Sequence, residues 1–257
     1  MGKIRVMGGS DWLPVEGNDG ASYIFGEHTM VDLGWGAPVR LLMAGEKLGK
    51  YHTLLFTHMH ADHIMGLPQL ILGWRIEKNK DLGGLTIIGP DESLKESYER
   101  ANIYAFEGTL DAEVTVKPRL VELKPWDEFE TDEFLVRCMP SLHAAPGRCY
   151  VLTEKATGRR VGLSGDTAWR EEFADFFRGA DLLIHECSFG TSPVTPENNS
   201  VCKHSSVYEA ARVAKESGAK ALMLTHTRGD QEACMALAHS LVDIPVYWAR
   251  TGVTVEY

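Results

Sequence analysis

The sequence predicts an α/β fold in which two β-sheets lie inside and helices lie outside. Short aliphatic runs bounded by glycine or proline recur along the 257 residues, and such runs are typical of β-strands. Several runs lack polar alternation, which indicates strands covered on both faces. Strands and helical patterns alternate in the second half of the chain. No low-complexity linker or internal repeat interrupts the sequence, so we expect residues 1–257 to form one domain.

Seven aliphatic runs are the clearest predicted strands. They are Ile4–Met7, Thr53–Phe56, Leu85–Ile88, Phe134–Arg137, Arg160–Leu163, Leu182–Ile184 and Ala221–Leu224. Residues Tyr150–Thr153 precede the fifth run, and the glycine-containing segment between them predicts a hairpin.

Three segments carry a helical pattern. Ser206–Ser217 places its alanines and valines along one stripe and ends before Gly218, a residue suited to cap a helix at its C-terminus. Trp169–Phe177 and Asp230–Ser240 show a less regular version of the same pattern, and we expect helices there as well.

Composition excludes several classes of protein. The chain is 44% hydrophobic and 24% charged, which is normal for a globular protein and argues against a disordered or fibrous one. No apolar run approaches the roughly 20 residues that span a bilayer, so we expect a cytoplasmic protein without a membrane partner. The net charge of −10 argues against an extended basic track for nucleic acid.

The five cysteines form no metal or redox motif. They are Cys138, Cys149, Cys187, Cys202 and Cys234, and their wide spacing includes no CxxC pair. We expect reduced thiols that are mostly buried.

The strongest chemical signal is a cluster of three histidines and one aspartate directly after the strand that begins at Thr53. Side chains two residues apart at a strand end point the same way, so His58 and His60 can converge on one ion. Asp62 and His63 follow at the turn and would point elsewhere. Dense clusters of histidine and carboxylate are typical of metal sites, and this arrangement suits two neighbouring ions.

One segment cannot complete two coordination spheres, so further ligands must come from other parts of the chain. His143, Asp166 and His226 each follow a predicted strand at a loop position. Each of the three is a weak signal alone. Together with the histidine cluster they predict one assembled site.

This pattern of motifs resembles the metallo-β-lactamase superfamily. The order is HxHxDH, then a histidine, then a loop containing Gly-Asp, then a loop containing Thr-His. The resemblance implies a four-layer αβ/βα sandwich with a dinuclear metal site at one edge. By position it assigns His58, His60 and His143 to one ion, assigns Asp62, His63 and His226 to the other, and makes Asp166 the bridge.

A second pair of motifs resembles the ribonuclease Z group. Glu186 lies in a His-Glu-Cys-Ser motif and His204 lies in a His-Ser-Ser motif, which resemble that group's HEAT and HST motifs. The resemblance implies that Glu186 and His204 form a hydrogen-bonded pair at the metal site. The interval between His143 and Asp166 is too short for the arm that holds the tRNA body in that group, and it reads as the hairpin predicted above.

These residues predict a hydrolase of phosphodiester bonds. Two cations would generate hydroxide from water near neutral pH, and Asp62 would orient or deprotonate that water. His204 would protonate the leaving oxygen, while Glu186 would hold the imidazole ring. The substrate expected is a small-molecule or short nucleotide phosphodiester rather than a whole tRNA.

The sequence leaves the metal, the assembly state and other ester substrates open. Zinc is the favoured metal, with manganese or iron also suited to the ligands. The resemblance allows a homodimer. The same site on a lactone, thioester or sulfate ester is the first alternative, and a non-catalytic metal-binding module is the second.

Two tryptophans and one loop bear on substrate binding. Trp35 and Trp74 either line a pocket near the histidine cluster or pack in the core. The polar segment Phe189–Asn199 leads into His204, and it is a candidate for gating the substrate or a plain linker.

Overall fold

Two seven-stranded β-sheets form the inner layers of the protein over residues 2–77, 82–106 and 117–257, which the computed structural model describes. In chain order, the first sheet contains β1 (Lys3–Gly8), β2 (Ser22–Phe25), β3 (Thr29–Leu33), β4 (Thr53–Leu55), β5 (Thr86–Pro90), β6 (Arg119–Leu123) and β14 (Thr254–Glu256). The second contains β7 (Glu128–Glu130), β8 (Phe134–Pro140), β9 (Arg148–Glu154), β10 (Arg160–Leu163), β11 (Leu182–Glu186), β12 (Leu222–Thr225) and β13 (Val246–Trp248).

The two sheets have the same internal plan. The first has the order β14-β1-β2-β3-β4-β5-β6, and its strands are antiparallel up to β3 and parallel from β3 to β6. The second has the order β13-β12-β11-β10-β9-β8-β7, antiparallel from β7 to β10 and parallel from β10 to β13. Each sheet therefore has a block of parallel strands whose carboxyl ends meet at one edge.

Apolar side chains fill the space between the sheets. One buried cluster combines residues of both, and the Phe25 and Phe134 rings meet edge-on across the interface with their centroids 6.4 Å apart. Aromatic pairs of this geometry stabilise a core by about 0.5–1.5 kcal/mol beyond the area that they bury.

Helices cover the outer face of each sheet. In the described ranges these are α1 (Ala37–Met43), α2 (Ala61–Ile64), α3 (Leu67–Glu77), α4 (Leu94–Phe106), α5 (Phe173–Phe176), α6 (Val207–Ser217) and α7 (Gln231–Leu241). The first sheet packs on α1, α3 and α4, and the second packs on α5, α6 and α7, through two separate apolar clusters. This is the predicted four-layer αβ/βα sandwich, and it confirms the fold class. That residues 1–257 form one domain stays a prediction.

All seven predicted strands are present, and their ends differ from the prediction by at most three residues. The predicted helix Ser206–Ser217 is α6, which begins at Val207, has Ser206 as its N-cap, and ends before Gly218 at a φ of 66°. The segment Asp230–Ser240 is α7 with Asp230 as its N-cap.

The prediction of a helix over Trp169–Phe177 is wrong in extent, since only Phe173–Phe176 is helical. The residues before this helix form hydrogen bonds with the end of β8 and the residues that follow it. The Ala168 N–H donates to the Leu142 carbonyl at 2.8 Å, and the Arg170 guanidinium donates to the Pro140 carbonyl at 3.0 Å. The chain there follows the end of β8 instead of turning into a helix.

The five cysteines are free, and all but Cys202 are buried, as predicted.

Across the described residues, no helix combines the length and apolar character that crossing a membrane requires.

Candidate dinuclear metal centre

The predicted metal ligands meet at the edge where the carboxyl ends of the parallel strands lie. From the first sheet, β4 leads into residues 58–63, and the short helix α2 places Asp62 and His63 on its first turn. From the second sheet, β8, β10 and β12 lead into His143, Asp166 and His226 respectively. A β-bridge between His58 and Gly147 ties the two sheets together beside this edge.

One group of donors consists of His58, His60, His143 and Asp166. One ligand atom from each of the four lies within 4.8 Å of the others. The His58 Nε2 atom is 3.6 Å from Asp166 Oδ2, and His143 Nε2 is 3.2 Å from His60 Nδ1. This is the set that the sequence assigns to one ion together with the bridging aspartate.

A second group consists of Asp62, His63, Asp166 and His226, again with ligand atoms within 4.8 Å of one another. Asp62 Oδ2 is 3.0 Å from His226 Nε2 and 3.3 Å from His63 Nε2. Asp166 reaches the same two histidines, with Oδ1 3.5 Å from His63 and Oδ2 3.3 Å from His226. Asp166 thus belongs to both groups. Its role as a bridge, like the role of the other residues as ligands, stays a prediction.

The burial and hydrogen bonding of several donor atoms are typical of metal ligands. His58 Nε2, His63 Nε2 and Asp166 Oδ1 are buried and have no hydrogen-bond partner among the described residues. A buried polar atom without a partner costs about 1–3 kcal/mol, so proteins rarely leave several together. Imidazole nitrogen and carboxylate oxygen are the ligands that zinc and related divalent ions take, and the residues therefore fit a pair of such ions.

The charges of these groups are set by their burial and by one another. Burial lowers the pKa of His58, and the nearby His63 lowers it further, so His58 offers a neutral ring. Burial also opposes ionisation of Asp166, but His226, His63 and His58 outweigh it and keep its pKa well below the usual range. His58 and Asp166 therefore have the protonation states that bind a metal. For His63 and His226, the charge of Asp166 outweighs burial and raises the pKa, so these two rings would release their protons when a metal binds.

Asp32 supports the cluster from behind. Its carboxylate accepts hydrogen bonds from the Thr57 N–H, the Thr57 hydroxyl and His63 Nδ1, each at 2.8 Å. This contact fixes the His63 ring so that Nε2 faces the other donors. The prediction gave Asp32 no role at the site.

The backbone at two of these residues is unusual. Asp32 has a φ of 53° and His226 has a φ of 54°, both in the left-handed region that favours glycine. The His226 N–H donates to the Gly9 carbonyl at 2.8 Å, so contacts from a neighbouring loop hold this conformation.

Glu186 and His204 form the predicted pair. His204 Nδ1 is 2.8 Å from Glu186 Oε1, and the buried carboxylate also accepts hydrogen bonds from the Thr167 N–H and from Ser188. Burial opposes protonation of His204, but the charge and hydrogen bond of Glu186 outweigh it and raise its pKa to about 9. The His204 ring lies between His143 and His226, with centroid separations of 4.8 and 5.7 Å.

Asn199 holds the backbone of His204 in place. Its side-chain oxygen accepts from the His204 N–H at 2.7 Å, and its side-chain nitrogen donates to the His204 carbonyl at 2.8 Å. The sequence placed Asn199 in the polar segment before His204 and Ser188 in the His-Glu-Cys-Ser motif, but it gave neither residue a role.

The other histidines lie apart from the donors. His185 is buried, its Nδ1 contacts the Glu186 carbonyl at 2.8 Å, and its ring packs edge-on against Phe173, in agreement with a structural role. His28 and His52 stack on each other with ring centroids 4.7 Å apart. His239 lies on α7 and is exposed.

A cavity of about 810 Å³ opens beside the donors, and its lining includes His60, Asp62, His143, Asp166 and His226. Trp12, Trp35, Phe189, Asn198 and Arg228 contribute to its walls. Trp35 is therefore a pocket residue, whereas Trp74 is buried in the core and donates its indole N–H to the Tyr51 carbonyl. Phe189 and Asn198 belong to the segment predicted to gate substrate, and that gating stays a prediction.

The sequence of this chain is similar to those of known proteins. Residues 30–227 match the family model of the β-lactamase superfamily domain. Ribonuclease Z of Methanosarcina mazei is 28% identical over 274 residues, covering 87% of this chain and 87% of the relative. Ribonuclease Z of Brevibacillus brevis is 26% identical over 252 residues, covering 78% of this chain and 76% of the relative.

Solved structures share the fold. The metallo-β-lactamase fold protein YhfI of Bacillus subtilis gives a TM-score of 0.83 at 22% identity, covering 100% of this chain and 99% of that one. The short form of human tRNase Z gives 0.75 at 22% identity, covering 99% and 98%. A diphosphatase from the PhnP family gives 0.72 at 17% identity, covering 100% and 98%.

Proposed function

The chain belongs to the β-lactamase superfamily, and on this premise we propose that it is a metal-dependent phosphodiesterase of the ribonuclease Z kind. The proposal has three supports: the two groups of donors, the cavity above them, and the relatives named Ribonuclease Z. The relatives named Ribonuclease Z point to a phosphodiester bond.

The Glu186–His204 pair is the observation that carries the choice of substrate. An alkoxide that leaves a phosphodiester needs a proton, because it is a strong base. His204 borders the cavity, and Glu186 holds its pKa above that of a free histidine, so it carries a proton at neutral pH. A lactone also expels an alkoxide, but attack on its carbonyl depends first on stabilisation of the oxyanion.

The metals would be held by the residues already described. His58, His60 and His143 would bind one ion, Asp62, His63 and His226 would bind the other, and Asp166 would bridge them. A pair of divalent ions lowers the pKa of bound water and offsets the charge on a phosphoryl oxygen. The majority of imidazole ligands favours zinc, with manganese or iron(II) as the alternatives.

The side chains have separate tasks in hydrolysis. Water attacks phosphorus, the bond to the leaving oxygen breaks, and one proton must leave the water while another reaches the leaving group. Asp62, oriented by contacts with His226 and His63, is placed to orient the water and accept its proton. His204 donates to the leaving oxygen through Nε2, since Nδ1 is held by Glu186.

The charge of the cavity supports a compact substrate. Its lining includes three aspartates, and Arg228 is its one arginine or lysine within the described residues. That arginine is paired with Asp11 at 2.8 Å. Between His143 and Asp166 the chain forms the β9–β10 hairpin, which offers no long arm. We therefore propose a small-molecule or short nucleotide diester as the substrate, rather than the body of a tRNA. A homodimer and a cytoplasmic location stay predictions.

A panel of esters tests the proposal. Protein loaded with Zn²⁺ or Mn²⁺ is assayed on bis-p-nitrophenyl phosphate, a lactone and an aryl sulfate. We expect turnover of the diester above that of the other two. Preference for the lactone or the sulfate would move the activity to the other ester class, and bound metal without turnover would favour a non-catalytic module.

Substitution of His204 tests the acid directly. On a dinucleotide, whose leaving group is an unactivated alkoxide, His204→Ala should lower kcat by about 10²- to 10⁴-fold. The loss should be much smaller on bis-p-nitrophenyl phosphate, because p-nitrophenolate leaves without a proton. His239→Ala, on the exposed face of α7, is the control that should change neither rate. Equal losses on the two substrates would refute the acid role.

A further inference from the structure

The loop that follows β1 exposes two large apolar side chains at the mouth of the cavity. In this segment, Gly9–Pro14, which we call the Trp12 loop, Trp12 is 64% exposed and Leu13 is 54% exposed. Both line the same cavity as the metal donors. Apolar side chains exposed side by side at a cavity that holds polar reactive groups are typical of a ligand contact.

Hydrogen bonds fix this loop in spite of its exposure. The Ser10 N–H donates to the Asp19 carbonyl at 2.8 Å, and the Ser10 hydroxyl donates to the Leu13 carbonyl at 2.9 Å. The indole N–H of Trp35 donates to the Trp12 carbonyl at 2.9 Å. The backbone that carries the Trp12 ring is therefore ordered before a ligand arrives, which lowers the entropy cost of binding.

A second set of contacts joins the loop to the candidate metal centre. Arg228 lies two residues after His226, and its Nε atom is 2.8 Å from Asp11 Oδ1 in the loop. The Arg228 guanidinium lies 5.9 Å from the centre of the Trp12 ring. The His226 N–H also donates to the Gly9 carbonyl, so a hydrogen bond and an ion pair connect the Trp12 loop to the loop that carries His226.

Because Arg228 and Asp11 form an ion pair, net charge contributes little to ligand binding on this side of the cavity. Asp11 balances Arg228, so the wall formed with Trp12 and Trp35 offers flat aromatic surface with little net charge. A planar ring of a ligand stacks on such a surface.

We propose that Trp12 forms a subsite for a planar aromatic ring on one ester group of the substrate. Asp11, Trp35 and Arg228 hold that subsite in position. The substrate class is then phosphodiesters that carry a nucleobase or an aryl ring. The phosphodiester part rests on the proposed function, and the ring subsite rests on the Trp12 loop.

Three diesters of equal charge test the subsite by calorimetric titration of the metal-loaded protein. They are dimethyl phosphate, methyl phenyl phosphate and the methyl ester of thymidine 5′-phosphate, and they differ only in the second ester group. Wild-type protein should bind at least one of the ring-bearing esters about 10-fold or more tightly than dimethyl phosphate, the size expected for stacking on one aromatic side chain. Preference for the thymidine ester identifies a nucleobase, and preference for the phenyl ester identifies an aryl group.

Variants of two tryptophans separate the subsite from general effects. Trp12→Ala should reduce the affinity for the ring-bearing esters to that for dimethyl phosphate, while Trp12→Phe should keep most of the preference. Trp126→Ala is the matched control, since Trp126 is also exposed and packs on Phe176 outside the cavity.

The subsite is refuted if wild-type protein binds the three esters alike, or if Trp12→Ala weakens all three equally. If the protein does not hydrolyse the diester in the panel described above but still prefers ring-bearing esters, the proposed function is wrong and the subsite is supported. If the protein hydrolyses the diester but shows no such preference, the proposed function is supported and the subsite is wrong.

Discussion

Four hydrogen bonds end on the carboxylate of Glu186. They come from the Thr167 N–H, the Ser188 N–H, the Ser188 hydroxyl and the His204 ring, at distances from 2.7 to 3.0 Å. Burial opposes ionisation of Glu186, but His204 outweighs it and lowers the pKa of the carboxyl. The pair therefore exists as carboxylate and imidazolium, which is the state that a proton donor needs before the reaction.

The pH dependence of the rate follows from this pair. The pKa of His204 is raised above 6.5, so the proton it donates is present below that pKa and is lost as the pH rises through it. We expect the alkaline fall of kcat on a dinucleotide to lie above pH 6.5, and Glu186→Gln to move that fall to lower pH. Rate profiles of the two proteins measure the shift. Glu216→Gln, on the surface of α6, should leave the profile unchanged, and an unmoved profile in Glu186→Gln would contradict the role given to Glu186.

The site residues that could be predicted from the sequence are those that lie in a dense or repeated pattern. His58, His60, Asp62 and His63 lie within six positions, so their convergence follows from strand geometry. Asp32 was missed as a separate contributor, because it reaches His63 from 31 positions away and stands alone in an apolar strand. A contact of that kind depends on the pairing of strands, which local pattern does not determine.

At the scale of elements, the start of α6 fixes the segment that carries His204. The Ser206 side chain accepts from the Tyr208 N–H at 3.1 Å, and the Glu209 carboxylate accepts from the Ser206 N–H at 2.9 Å. This reciprocal cap satisfies backbone groups that a helix otherwise leaves open. The preceding Ser205 hydroxyl donates to the Thr167 carbonyl at 2.7 Å, which joins the cap to the loop after β10.

Removal of the cap should destabilise the protein measurably. Ser206→Ala should lower the free energy of unfolding by about 1 kcal/mol, within a range of about 0.5–2 kcal/mol. Urea unfolding of the metal-free protein measures the change without interference from ligand binding. Ser240→Ala, near the end of α7, should stay within about 0.5 kcal/mol of wild type. Equal losses in the two variants would show that the cap contributes nothing of its own.

Elements with local signals were predictable and the others were not. Helix α6 has a serine at its N-cap and a glycine in the left-handed region at its end, and its boundaries were predicted to within one residue. The segment 169–177 has apolar spacing of the same kind, yet contacts with the end of β8 prevent most of it from forming a helix. The three-residue strands β13 and β14 were not predicted.

At the scale of the whole molecule, the candidate metal centre joins the two sheets. The first sheet supplies the donors of residues 58–63, and the second supplies His143, Asp166 and His226. Ions held there would contact both halves of the sandwich, and the unfolded chain has no such arrangement. Metal binding should therefore stabilise the folded state by mass action.

Chelation provides the measurement. At free metal about 100 times its dissociation constant, binding contributes about 2.7 kcal/mol, so chelation should lower the Tm by several degrees. Elemental analysis should find two ions per chain in wild type. It should find markedly fewer in Asp166→Ala, because that residue belongs to both groups of donors, and two in the control His239→Ala. An unchanged Tm, or a protein that takes up no zinc or manganese, would contradict the dinuclear assignment.

The arrangement of the sheets could not be obtained from the residue pattern alone. The pattern predicts buried strands, but β1 pairs with β14 through residues 3–5 and 254–256, at opposite ends of the sequence. The four-layer arrangement was predicted from the family resemblance, because related chains share a topology. Composition and periodicity constrain only the number and the burial of the strands.

The left-handed backbone at Asp32 and His226 has a consequence for directed evolution. A residue with a Cβ atom loses on the order of 1–2 kcal/mol in that conformation, somewhat less for aspartate, and glycine avoids most of this strain. Glycine would relieve that strain, but it would also remove the side chain. Asp32 accepts three buried hydrogen bonds, and His226 contacts Ser188 and Asp62. A library selected for heat tolerance should therefore retain both residues, because the lost contacts outweigh the relieved strain.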